Sequence, residues 1–184
     1  MAPTYSDLMQ SALAATTRDA LDESEALCLQ AMALEPGASM PYYLRATNFA
    51  HAGNYELAEA CYTACLTRSP DFAIARFQLG LMQVTGGRAA LGQATWELLL
   101  TLPADHYLRL FAQGLVSLLG HQFEQARVTI ERGIALNQEN LPLNGDMQGV
   151  LDRLKAGEAS LRASPGEPEA AAADAHFLIG AYRQ

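Results

Sequence analysis

Residues 53–70 read GNYELAEACYTACLTRSP, and their pattern decides the fold. A glycine turn feeds a helical stretch with small residues at Ala58 and Cys65 and bulky ones at Tyr55 and Tyr62, and a proline at Pro70 stops it. A bulge and a notch on one stripe need a neighbour of complementary shape, so the stretch predicts a helix packed closely against others.

The same pattern returns every 34 residues, which is the period of a repeat architecture. Small residues recur at Ala12, Ala46, Gly80 and Gly114, and again at Ser24, Ala58, Gly92 and Ala126. Bulky residues recur at Tyr62, Trp96 and Ile130, with Cys28 as the weakest member. Loop glycines fall at Gly53, Gly87 and, one residue early, Gly120; closing prolines fall at Pro36, Pro70 and, one early, Pro103. Each period holds two apolar runs at helical spacing separated by a turn, so the expected unit is a helical hairpin. Small residues let its two backbones approach, and Tyr62 or Trp96 is expected to fill the gap toward the next hairpin. A lone hairpin cannot bury its stripe, so several must stack.

Tyr42, Ala46, Phe49, Gly53, Tyr55, Ala58, Tyr62 and Pro70 together resemble the tetratricopeptide repeat (TPR) signature. The resemblance implies an all-α fold, a right-handed superhelix of about four hairpins over residues 5–38, 39–72, 73–106 and 107–140, within one domain spanning 1–184. The first repeat lacks a turn glycine, and Asp22 followed by Glu25 reads as a capping box for its second helix. The third departs at Arg76, in place of a large apolar residue, and at Leu99, in place of a small one, which predicts a local change of packing angle. NQENLPLNGD then breaks the pattern. A capping helix is expected over about 144–162 with Met147, Val150, Leu151 and Leu154 along one stripe, and a second over about 167–182.

The resemblance also implies that the first helix of each hairpin lines a concave groove. Met9 and Leu13 fall there from the first repeat, and Met40, Tyr43, Thr47 and His51 from the second. Ile74, Phe77, Leu81 and Val84 follow from the third, and Leu108, Phe111, Leu115 and Leu118 from the fourth. This lining is apolar and offers almost no Lys, Arg or Asn, so it predicts a protein or peptide partner with apolar anchors rather than the carboxylate clamp of heat-shock co-chaperones. Each anchor contributes about 1.5–3 kcal/mol on burial, so three or four reach micromolar affinity. The alternative for Phe111, Leu115 and Leu118 is that they are core, because YLRLFAQGLVSLLG is apolar on nearly every face.

The net charge of −8 argues against nucleic acid and anionic membrane, both of which reward clustered Lys and Arg. No apolar run approaches the roughly 20 residues of a membrane span, and MAPTYSDLMQ lacks the layout of a secretory signal, so a cytoplasmic location is expected. Cys28, Cys61 and Cys65 read as core thiols, and His51, His106, His121 and His176 are scattered without partners. No catalytic residue, metal site or cofactor is implied, and the expectation is a non-catalytic adaptor or scaffold. The alternatives are a chaperone similar to the class II chaperones of type III secretion, or a self-assembling oligomer. The apolar tip Phe177, Leu178, Ile179 and Tyr182 is expected to fill the protein's own groove, to join two copies as a homodimer, or to pack on the preceding cap helix.

Overall fold

The computed structural model describes residues 2–163 and is all-helical across them. The helix expected over 167–182, with Phe177, Leu178, Ile179 and Tyr182, lies outside the described residues. Among the described residues nine α-helices follow one another: α1 Tyr5–Thr17, α2 Leu21–Leu34, α3 Met40–His51, α4 Tyr55–Arg68, α5 Ala73–Thr85, α6 Ala89–Trp96, α7 Tyr107–Leu119, α8 Phe123–Leu136 and α9 Leu141–Ala163, with a 3₁₀ turn Glu97–Thr101 after α6. The chain divides into two compact units, Met1–Leu79 and Gly80–Gln184. In the first, α1 packs on α2 and α3 on α4, and α2 and α1 both touch α3. In the second, α7 packs on α8, which α9 covers.

The 34-residue period is written into the backbone. Second helices start at Leu21, Tyr55, Ala89 and Phe123, each one period after the last. Every turn before them closes with the same pair of hydrogen bonds. Asp19 N–H donates to Thr16 O and Ala20 N–H to Ala15 O, and the pattern recurs at Gly53 and Asn54, at Gly87 and Arg88, and at His121 and Gln122, over 2.8–3.1 Å. The turn requires a left-handed residue, with φ of 61° at Asp19, 77° at Gly53, 81° at Gly87 and 56° at His121. The fourth rung is therefore His121, and Gly120, which the sequence reading placed there, is an ordinary right-handed residue. The expected Asp22–Glu25 capping box does not form. No side chain caps α2, because the turn delivers the chain directly into the helix, where Ser24 N–H bonds Ala20 O at 3.0 Å. The capping box instead opens α1, where Thr4 and Asp7 exchange side-chain and backbone bonds.

Second helices end on a matching rung. Glu35 N–H donates to Ala31 O, Ser69 to Cys65 O and Asn137 to Gly133 O, over 2.9–3.0 Å. The equivalent third residue is Pro103, which has no N–H to give. Leu102 N–H bonds Leu99 O instead, at 3.2 Å, and α6 tightens into the 3₁₀ turn with Leu99 buried. The packing change expected at Leu99 takes this form. Arg76, the other departure, turns back to donate to Pro70 O at 2.7 Å. The break expected after the last repeat is shorter than its composition implies. Leu141 already begins α9, with Pro142 tolerated in its first turn and Asn140 Oδ1 accepting from Leu143 N–H at 3.4 Å. Leu143, Met147, Val150, Leu151 and Leu154 are buried along its stripe.

In the third and fourth hairpins bulge and notch meet inside the hairpin itself. A Cβ on Gly80 would stand 2.5 Å from Trp96 Cδ1 and 2.7 Å from Cε2, and one on Gly114 would stand 2.5 Å from Ile130 Cγ1. Ala12 and Cys28 share one buried cluster with Leu44. Ala46, Ala58, Gly92, Ala126 and Ser24 are all buried, as are Tyr62, Trp96 and Ile130.

Gly80→Ala should cost about 2–3 kcal/mol, since the indole has no space to retreat into, and thermal unfolding should fall by about 6 °C. Gly145→Ala, in α9 with nothing within 4 Å of the added methyl, should gain about 0.5–1 kcal/mol in the same melt. His121→Gly should also stabilise by about 0.5–1 kcal/mol, read by denaturant midpoint, because it removes the left-handed penalty on a residue with a Cβ.

Candidate functional site

The predicted groove residues divide sharply by accessibility. Phe77, Leu81, Val84, Leu108, Phe111, Leu115 and Leu118 are buried, so Phe111, Leu115 and Leu118 are core. Leu13 and Met40 are exposed, at 58% and 45%, and so is His51; Met9, Tyr43, Thr47 and Ile74 are half-buried. The accessible members thus belong to the first unit, on first helices α1 and α3, which touch each other, and at the start of α5.

The floor beneath this face is fixed by polar contacts at the junction of the first two hairpins. Thr16 of α1 donates to Asn48 Oδ1 of α3 at 2.9 Å, Asn48 Nδ2 donates to Ser24 Oγ of α2 at 2.8 Å, and the two hydroxyls are 2.9 Å apart. With Ser24 donating to Thr16, every member of the ring both gives and accepts. Asn48 and Ser24 are buried, so breaking the ring would strand polar atoms away from water. Nearby, Arg45 of α3 grips Glu25 of α2 with Nε and Nη2 over 2.6–3.0 Å, and its guanidinium lies 5.6 Å from the Phe49 ring centre. The bonds to Glu25 raise the Arg45 pKa, outweighing burial, which acts to lower it.

On the face itself, Tyr43 sits between Tyr62 and Phe72, with ring centres 6.1 and 5.1 Å away. The Thr47 hydroxyl donates to Leu44 O of its own helix at 2.7 Å, so its hydrogen-bonding capacity is used locally. At the rim, His51 Nε2 stands 3.2 Å from Asp19 Oδ1. Both are well exposed, so the pair contributes little to stability.

Two further depressions escaped the sequence reading. Gln10, Ala14, Thr17 and Arg18 surround Leu13 in a shallow hollow on α1. In the second unit, Leu100, Gln113, Val116, Ser117, Gln125 and Thr129 line a cleft of about 360 Å³. A signal for the second existed: Gln113 and Ser117 stand two periods on from Arg45 and Phe49, and the smaller side chains leave open what the larger ones fill.

No protein-family model, curated protein or solved structure matches the chain. Among the described residues no group of three or more His, Cys, Asp or Glu is placed to hold a metal ion, and no helix is long and apolar enough to cross a membrane. The three cysteines are free and buried. Burial pushes Cys28 and Cys65 up to about 11 and raises Cys61 as well. The thiolate is the reactive form, so at pH 8 the folded protein should react slowly with a thiol-specific chromogenic disulfide. Denaturant should release all three thiols promptly, and a fast native phase would show a thiol outside the core.

Proposed function

We propose that the chain is a non-catalytic adaptor of the tetratricopeptide type, stacking its hairpins as a right-handed superhelix and holding an apolar segment of a protein partner on the first-helix face of α1 and α3. The observation that carries this reading is the composition of the accessible face. Met9, Leu13, Met40, Tyr43 and Thr47 bring no formal charge, although the chain as a whole carries −8. Sparing one face in an acidic protein marks a surface for apolar contact. The 34-residue recurrence of turn geometry supports the repeat assignment. The Thr16–Ser24–Asn48 ring gives the face a rigid base, which lowers the ordering cost of binding.

The partner's chemistry follows from what the face lacks. With neither a cluster of cations nor an array of amide donors, it offers an acidic terminus nothing to replace its hydration. Leu, Ile, Met or Phe side chains spaced for a helix or an extended strand suit it better.

Peptides selected from a random display library against the purified full chain should be enriched in such anchors. Thr47→Glu and Tyr43→Ala should each weaken the best peptide at least tenfold by fluorescence anisotropy, while Leu57→Ala on α4 leaves it unchanged. Selection of acidic or basic peptides, or binding indifferent to Thr47 and Tyr43, would overturn the reading.

A further inference from the structure

The first helix exposes a stripe that the repeat itself marks as a packing face. One period on from Asp7, Gln10 and Ala14 stand Pro41, Leu44 and Asn48 of α3, and all three are buried where α3 lies on the first hairpin. Leu44 joins the cluster of Ala12 and Cys28, and Asn48 bonds Thr16 and Ser24. In α1 the equivalent side chains are exposed, together with Leu13, Thr17 and Arg18. The last hairpin, in its own unit, has α9 over it; among the described residues α1 has no covering helix on this stripe.

We propose that this stripe is a homodimer interface, in which α1 of one copy lies antiparallel on α1 of a second copy about a two-fold axis near Leu13. The charges choose the occupant. Asp7 and Arg18 bracket the midpoint of the stripe almost symmetrically, about 16 Å apart along the helix. A two-fold axis between Ala12 and Leu13 therefore sets Asp7 of each copy against Arg18 of the other. A parallel pairing would oppose like charges. Gln10, Leu13, Ala14 and Thr17 fill the span between them, and Ala14 permits close approach of the two backbones. Such an interface is isologous, so the same few residues supply both halves.

Both charges can serve it. Asp7 receives its Thr4 bonds on Oδ2, which leaves Oδ1 as a further acceptor. Arg18 holds Glu23 at 3.1 Å through Nη2, with the two side chains 61% and 56% exposed, a pair weak enough to share. One helix per copy makes a small contact, in the size range of weak and transient association. The dimer shares Leu13 with the proposed peptide face, so the two would compete there, and they are told apart by their variants: the peptide assay reads Tyr43 and Thr47, the dimer assay Asp7 and Arg18.

Sedimentation velocity on the full chain should show a monomer passing to a dimer as concentration rises through the micromolar range. Asp7→Lys and Arg18→Glu should each weaken the dimer at least tenfold, with helicity by circular dichroism checking that α1 still folds. An equimolar mixture of the two variants should regain it, since the reversals are complementary across the axis. Under oxidation Leu13→Cys should give one covalent dimer band, while Leu57→Cys does not, the native thiols being buried. A wild-type chain that stays monomeric, with Leu13→Cys resisting cross-linking, overturns the proposal; residues 164–184 covering α1 would produce that result. A dimer untouched by either charge reversal overturns it as well and places the contact elsewhere.

Discussion

A bulky side chain seated in a notch on the partner helix of its own hairpin sets the geometry from which the rest follows. The two positions lie 16 residues apart, as Gly80 and Trp96 or Gly114 and Ile130. That separation is one helix half, the turn and the matching half of the return helix. Where the seated residue is largest, Trp96, the notch is glycine; where it is smallest, Cys28, alanine suffices at Ala12. Ile130, smaller than Trp96, also faces a glycine, so what recurs is a small residue at the notch rather than a constant summed volume. Because the seat fixes how far each helix runs past its partner, it also fixes where the turn must come. The turn then has to reverse the chain in a constant number of residues, which only a left-handed residue at its centre achieves. The common spacing of Asp19, Gly53, Gly87 and His121 is the result.

The existence and order of the described helices, and their pairing as α1 with α2, α3 with α4 and α7 with α8, were legible in the sequence because small-residue spacing reports backbone approach directly. What misled the reading was residue identity taken as position. Gly120 looked like the turn rung one place early, yet the backbone puts His121 there, since the period is held by packing and a histidine tolerates the left-handed region at a cost. Pro103 also looked like a rung shifted by one, but the shift has a consequence: it occupies the place of a hydrogen-bond donor and converts the end of α6 to 3₁₀. Asp22 and Glu25 have capping-box spacing, and a local rule cannot see that Glu25 is claimed by Arg45, twenty residues away.

The lining residues of the candidate site were legible only in part. The periodicity that places Tyr43, Phe77 and Phe111 on equivalent positions says nothing of what lies above each one. Phe77 and Phe111 are buried and Tyr43 is not, a difference made by tertiary neighbours rather than by spacing. The polar ring of Thr16, Ser24 and Asn48 was invisible for a related reason. Its members are ordinary residues 8 and 24 positions apart, and only the stacking of α3 on the first hairpin joins them.

That ring also bears on why hairpins stack in one register. Apolar ridges alone would let α3 slide along the first hairpin by a turn at modest cost, since one leucine substitutes for another. A slip of one turn would remove Asn48 from both of its partners and Arg45 from Glu25, stranding buried polar atoms and a half-buried charge. Each stranded neutral group costs about 1–3 kcal/mol and a charged one more, so the penalty for slipping exceeds what apolar repacking could recover. The polar contacts add little net stability to the correct register, because water satisfies the same atoms in the unfolded chain. Their effect is to raise the wrong ones. A surface that must present Met9, Leu13, Tyr43 and Thr47 in fixed relation to a partner needs that discrimination between registers more than it needs further stability.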